Sequence, residues 1–240
     1  MAIVRNDCIT CKVRSCSILD ACDLETLSLI SAHKFTRIIP KGDRLFSEGD
    51  PINGICFIKK GFLKIELNGK QGRPLILRIA GRGDILGHRA TVRHALHSYS
   101  ATAVSEVHYC FIPFARFEEI AQNSPQLQQQ IVHLFLDELE LAEKKAVNLA
   151  HKSVREKVAE ALLLLATTFQ YDEKKQPFKI SLCRQDIADL AGTTKEQVSK
   201  ILKDFEKENF IKCSAKKFNY INLDSLRSIS GTPTVFNGGK

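Results

Sequence analysis

Long apolar runs are missing from this sequence: nowhere in its 240 residues does one approach the ~20 needed to cross a bilayer. A secretory leader is missing too, because the opening stretch from Met1 to Cys8 reaches a charge at Arg5 before any apolar region forms. The expectation is a cytoplasmic protein with no membrane partner. In that reducing compartment its eight cysteines point to metal binding, redox chemistry or plain core positions rather than disulfides. Enzyme signatures are equally scarce. There is no Gly-rich phosphate loop, no Gly-x-Ser-x-Gly elbow and no His-Glu-x-x-His helix. A thiol oxidoreductase built on Cys8 and Cys11 would need a βαβ context that the leader lacks. The reading is that the chain is not an enzyme.

What is present is an ordinary globular composition, 44% hydrophobic and 26% charged, long enough for one large domain or two small ones. The net charge of +8 favours a polyanionic partner. Lys and Arg outnumber acids 16 to 11 from residue 151 onward and 19 to 16 before it. The excess is denser near the C-terminus, as nucleic acid or a solvated surface would both allow.

The order of textures suggests an α+β protein. From Ile38 to about Phe114 short apolar runs such as Ile55–Ile58, Phe62–Leu67 and Leu75–Ile79 alternate with glycine turns. This is the pattern of a compact antiparallel β-roll. Ser124-Pro125 then opens a helix, with Leu127, Ile131, Phe135, Leu139, Ala142, Ala146 and Leu149 on one apolar stripe. A helix of roughly 25 residues, ~38 Å long, outruns a small roll, so the stripe is expected to be a dimer seam. Ser153 and Glu156 form a capping-box signal for the next helix, whose apolar face is Val158, Leu162, Leu165 and Phe169. Further on, Ile187–Ala191 and a helix from Lys195 to about Asn209 flank Gly192-Thr193-Thr194, with Thr194 as the cap. Two short helices about a glycine turn form a helix-turn-helix or an ordinary helical hairpin. Lys212, Lys216 and Lys217, with the alternation Phe218–Leu223, resemble the basic β-wing that favours the DNA-binding reading. The expected organisation is a leader over 1–24, a roll sensor over 25–124, a dimerisation helix over 125–152 and a winged helix-turn-helix over 153–230. A disordered tail is expected over 231–240.

On the second helix of the pair, Glu196 stands in the first turn, where a carboxylate can accept from the N4 amino group of cytosine. Lys200 lies one turn on and can reach a guanine edge or a phosphate, with Ser199 beside it. Lys195 would touch phosphate or base, Thr194 can anchor backbone, and Arg184 opens the first helix. The Cys8-x2-Cys11-x4-Cys16 trio, followed by Cys22, has spacing that suits an iron–sulfur cluster or zinc.

In this order of parts the chain resembles the cAMP-receptor/Fnr superfamily of bacterial transcription regulators, nearest its Fnr-like branch. The resemblance runs from about Cys8 to Ile229. It is carried by Pro40-Lys41-Gly42-Asp43, Gly83-Asp84-Ile85-Leu86-Gly87, Ile112-Pro113-Phe114, and the segment from Arg184 to Leu202. It implies a homodimer on double-stranded, pseudo-palindromic DNA, with RNA polymerase as a further partner. It also implies base contacts from Glu196, Ser199 and Lys200, a lysine replacing the family's usual arginine at 200. The cyclic-nucleotide branch has a Gly-Glu-Leu turn and an Arg-Ser pair. Here Gly87-His88-Arg89 and Ser98-Tyr99-Ser100 stand instead, so cAMP is not expected. In Fnr a cysteine trio similar to Cys8, Cys11 and Cys16 is completed by one that matches Cys110. The resemblance therefore implies an oxygen- or NO-labile 4Fe-4S cluster on those four, although one residue is missing between Cys11 and Cys16. Zinc, a thiol switch, haem and a small ligand remain the alternatives, while Cys56, Cys183 and Cys213 are expected to be buried bystanders.

Overall fold

The computed structural model describes residues 7–69, 72–91, 96–172, 178–179, 182–214 and 217–231. Lys216 and the expected tail beyond Gly231 lie outside them, as do the side chains of Cys213 and Lys217. Contacts divide the chain into two units, one holding residues up to Leu67 with Ile79–Leu141, the other Asn68–Arg78 with the residues from Ala142 on.

In the first unit a turn-rich leader with a 3-10 turn at Arg14–Cys16 precedes α1 (Leu24–His33), and Asp23 caps α1 by accepting from the Thr26 N–H. The strands follow as β1 (Phe35–Ile39), β2 (Arg44–Phe46), β3 (Gly54–Lys60), β4 (Leu63–Asn68), β5 (Pro74–Ala80), β6 (Ile85–Leu86), β7 (Ser100–Ala103) and β8 (Val107–Pro113). They form two four-stranded sheets, β1-β8-β3-β6 and β2-β7-β4-β5, although most of β5 is assigned to the second unit. Helix α2 (Phe114–Gln122) and the first part of α3 (Pro125–His151) complete the unit. The short apolar runs read from the sequence are strands, with the glycines between them taking left-handed conformations at Gly42, Gly49, Gly61, Gly72, Gly83 and Gly87.

Strand β8 organises this unit, pairing antiparallel with β1 on one side and β3 on the other. Its alternation sends successive side chains to opposite faces. Tyr109 joins Phe46, Ile58, Leu63 and Tyr99 inside the roll. Cys110 and Ile112 join Leu19 and Cys22 of the leader, Leu27 and Ile30 of α1, Phe117 of α2, and Leu127 and Ile131 of α3. Each such fully buried aliphatic side chain contributes ~1.5–3 kcal/mol.

The leader is a docked segment. Cys8 N–H donates to Ser31 Oγ at 2.8 Å, and the Arg82 guanidinium donates to Lys12 O at 2.6 Å. A Cβ added at Gly83 would stand 2.0 Å from Cys16 O, so only glycine admits the leader there.

Helix α3 starts where Ser124 marks it, Ser124 Oγ accepting from Leu127 N–H. The stripe expected to be a single seam is divided. Leu127 and Ile131 are buried in the unit's own core and Phe135 packs against it, whereas Leu139, Ala142 and Ala146 are exposed. Leu149 is half-buried, and in the second unit a Cβ on Gly192 would meet it at 2.5 Å. The helix drifts round its axis relative to the roll, so a constant stripe cannot stay on one neighbour.

In the second unit α4 (Val154–Thr168) begins with the expected Ser153–Glu156 capping box. Val158, Leu162 and Leu165 are fully buried. Then come β9 (Phe178–Lys179), α5 (Arg184–Ala191), α6 (Lys195–Lys207), β10 (Ile211–Ser214), β11 (Lys217–Ile221) and α7 (Leu223–Ser230). The strands make a small sheet in the order β10-β11-β9. Helices α1, α2 and α7 go beyond the sequence reading, and Ser230 is buried at the end of α7. Cys183 is exposed rather than buried.

Candidate DNA interface and candidate thiolate site

The candidate DNA-facing element is built from local signals. Gly192 ends α5 in a left-handed conformation at φ 64°, which a glycine adopts without a side-chain penalty. Thr194 then caps α6, its hydroxyl accepting from Gln197 N–H at 3.3 Å. Val198, Leu202 and Phe205 hold α6 against its unit with almost no exposure. On the opposite face Lys195, Glu196 and Lys200 are exposed, as is Arg184 at the start of α5. Glu196 is held as a carboxylate, below its ordinary value, by its own backbone N–H, then by Thr194 and by the nearby Lys195 and Arg73 charges. An ionised acceptor in a first helical turn is the state that cytosine readout needs. Ser199 is half-buried and its hydroxyl donates back to Lys195 O at 2.8 Å. Free of that bond it can serve a base; with it, the hydroxyl supports the helix. Lys212 on β10 is exposed.

Lys145, a residue absent from the sequence reading, supports this face from beneath. Its Nζ donates to Ile76 O at 2.8 Å and to Leu190 O, in the last turn of α5, at 3.1 Å. Burial lowers its pKa to about 8, with Glu160 opposing the shift. Nothing in the sequence singles it out, since Glu143 and Lys144 stand directly before it.

The thiols gather in the first unit. Cys8, Cys11 and Cys110 line one recess, together with Leu19, Ile30, Phe57 and Ile112. Cys16 is exposed and is not among the lining residues; it packs against Gly83, with its Sγ donating to Val13 O at 3.1 Å. Arg14, Lys34 and Lys59 also line the recess, and among the described residues no carboxylate does. Burial raises the Cys110 thiol, while Lys34 and Lys59 pull the other way. Cys22 is not among the lining residues, and burial pushes its thiol up to about 11. Cys56 points into the roll, where burial takes it to about 12. Among the described residues no group of three or more His, Cys, Asp or Glu side chains is arranged to hold a metal ion. The recess offers cysteine sulfurs on an apolar floor with cations nearby, a donor type that suits a thiophilic group, without the four-sulfur arrangement that a cluster needs.

The positions that carry cyclic-nucleotide contacts in that branch of the superfamily are engaged within the chain. His88 is fully buried, with Nε2 3.3 Å from Glu138 Oε2 of α3. Arg89 reaches the same oxygen at 3.0 Å and lies over the Tyr99 ring at 5.0 Å. Ser100 Oγ accepts from Glu48 N–H at 2.9 Å.

Two family models match this arrangement, a cyclic nucleotide-binding domain over residues 36–124 and a Crp-like helix-turn-helix domain over residues 156–229. The chain belongs to the Crp/Fnr family of transcription regulators. Among its relatives is the Transcriptional activator protein FnrL of Cereibacter sphaeroides, 26% identical over 97% of this chain and 94% of that protein. Electron transport regulator A of Shewanella oneidensis is 27% identical over 90% of this chain and 86% of its own length. In fold the chain is similar to FixK2 from Bradyrhizobium japonicum, with a TM-score of 0.73 at 20% identity over 84% of this chain and 99% of that one. As a Crp/Fnr regulator the protein is DNA-binding and not an enzyme. Members of the family usually act as dimers. No helix among the described residues is long and apolar enough to cross a membrane.

Proposed function

We propose that this Crp/Fnr regulator binds a pseudo-palindromic operator as a homodimer, under the control of a 4Fe-4S cluster held by Cys8, Cys11, Cys16 and Cys110. The observation that carries the reading is the shared packing of the thiols and the helix. Cys8 and Cys110 belong to the same apolar cluster as Leu127 and Ile131 of α3, so a change at the sulfurs bears on the seat of that helix. When bound, the cluster supplies a centre that oxygen or nitric oxide oxidises and dismantles. The leader's bonds to Ser31 and to Arg82 hold its sulfurs beside β8, and Gly83 leaves room for Cys16.

The dimer face of this reading is the exposed side of α3: Val132, Leu136 and Leu139, each more than half exposed, continuing to Ala146. It lies roughly 100–180° round the helix from Leu127 at 100° per residue, so the chain's own core and the partner use different sides. In the dimer two α6 helices meet successive major grooves ~34 Å apart. Glu196 reads cytosine, Lys200 reads guanine or phosphate, and Arg184, Thr194, Lys195 and Ser199 fix the register. The resemblance places RNA polymerase as the next partner.

The test is the iron, sulfide and zinc content, with the visible spectrum, of protein purified without oxygen. About four iron per chain with a broad band that bleaches in air is the expected result. A colourless, iron-free protein that still binds DNA would leave the regulator and remove the cluster.

A further inference from the structure

Helix α3 sends two side chains one turn apart, Lys145 and Leu149, to the end of α5 and the turn that follows it. All the residues involved lie in the second unit. Leu149 packs at the turn, where a Cβ on Gly192 would meet it at 2.5 Å and Leu75 of β5 at 3.7 Å. Lys145 Nζ donates to Ile76 O of β5 at 2.8 Å and to Leu190 O of α5 at 3.1 Å, with Leu77 O at 3.5 Å. Ile76 and Leu190 are buried, so their carbonyls need partners from the protein. A helix supplies none for its last four carbonyls. At the end of α5 the N–H groups of Gly192 and Thr193 both return to Ala188 O. Leu190 O takes the ammonium, at the helix end where the dipole favours a cation. Glu160, the carboxylate that acts on Lys145, accepts from Asn148 at 2.7 Å and pairs with Lys152 at 3.1 Å. Carbonyls of two elements therefore hold the cation. Burial outweighs the pull of Glu160 on its proton, so the arrangement fixes a geometry more than it adds stability.

Resting on the base contacts assigned above to Glu196 and Lys200, we propose that Lys145 is a positioning residue for operator recognition. By holding Leu190 O and Ile76 O on one ammonium, it fixes the end of α5 and the short turn from which Thr194 starts α6. A tilt of α5 at Leu190 passes through Gly192 and Thr193 into the first turn of α6, where Glu196 stands. Contacts of this kind work only within ~0.5 Å and about 10–20° of their productive geometry. Lys145 is half-buried and acts on the DNA through α5, not by touching it.

The test compares wild type, Lys145→Met, Lys145→Arg and Glu196→Ala, purified without oxygen, on two duplexes. One is selected from a random pool by the wild-type protein, and the other is its scrambled sequence. Binding isotherms, circular dichroism and thermal melts are recorded for each. Lys145→Met is expected to melt near wild type and to bind the selected duplex about tenfold more weakly, as misplacing one base contact would. Its binding to the scrambled duplex should not change, because Lys145 touches no phosphate. Lys145→Arg, which keeps the cation, should recover part of the preference, and no recovery overturns the proposal. A residue that merely stabilised the unit would lower the melt and leave the preference of the folded protein intact. That result, or equal weakening on both duplexes, also overturns it. Should the Met variant fail to fold, Lys145→Gln is judged by the same criteria, and failure of both to fold shows that Lys145 holds the unit together instead of orienting its turn. Wild type without a preferred duplex overturns the base reading and this proposal with it. A preference lost in Lys145→Met but unchanged in Glu196→Ala keeps Lys145 in its role and removes Glu196 from base readout.

Discussion

The two faces of strand β8 differ in kind. Tyr109 looks into a roll filled by Phe46, Leu63 and Tyr99, with His97 stacked on Phe46 at 3.5 Å between ring centroids. One residue on, Cys110 looks out onto a recess shared with two leader thiols and backed by α3. The inner face is closed by aromatic packing and sets the scaffold. The outer face combines polar, reactive groups with a segment held by a few hydrogen bonds, which is where a signal can act without unfolding the domain. In this chain the family's sensor fold keeps its inside for stability and carries its candidate signal site outside.

That contrast can be broken by paired substitutions. On the inner face Tyr109→Ala should cost about 3–5 kcal/mol of stability, seen in thermal or denaturant melts, with iron per folded chain retained. On the outer face Cys110→Ser should remove the iron while shifting the melt far less. If Tyr109→Ala lowered iron per folded chain as far as Cys110→Ser does, the division of labour would fail.

Helix α3 offers the same comparison between its two sides. Ile131→Ala should lower folding stability by about 2–5 kcal/mol. Leu136→Glu, on the exposed side, should leave folding nearly unchanged and weaken dimerisation by roughly 2 kcal/mol or more, read by sedimentation. Equal effects of the two on the monomer melt would show that the sides are not distinct.

For the DNA face, Glu196→Ala should relax the preference at one base pair of each half-site by about 1–3 kcal/mol. Lys212→Ala should weaken all sequences alike and lower the salt dependence. Binding isotherms on operator variants separate the two.

The smallest effect concerns pH. Burial lowers the His97 pKa to about 4, against the pull of Asp50. Below its ordinary value of 6.5 the unfolded chain takes a proton that the folded chain refuses until about pH 4. Stability is therefore full above that ordinary value and falls across the window, with a slope on the order of 1 kcal/mol per pH unit. His97→Phe, which keeps a ring against Phe46, should flatten that limb.

Local chemistry was legible in the sequence. Ser153 with Glu156, Gly192 and Thr194 act through neighbours a few residues away, and each does in the structure what its type and spacing require. The strands around Ile55, Leu63 and Ile76 were equally readable from short apolar runs between glycines. Which side of α3 is covered was not, because Leu127 and Val132 are both aliphatic and only the placement of the roll distinguishes them. The docked leader escaped for the same reason: its partners, Ser31 and Arg82, are remote in sequence.

The most direct test of the link from thiols to helix is the molar mass of the protein, followed without oxygen and then as air is admitted, alongside its iron content. The account predicts a dimer that dissociates in step with iron loss, and a Cys110→Ser variant that is monomeric throughout. A dimer that persists unchanged after all iron has gone would contradict it.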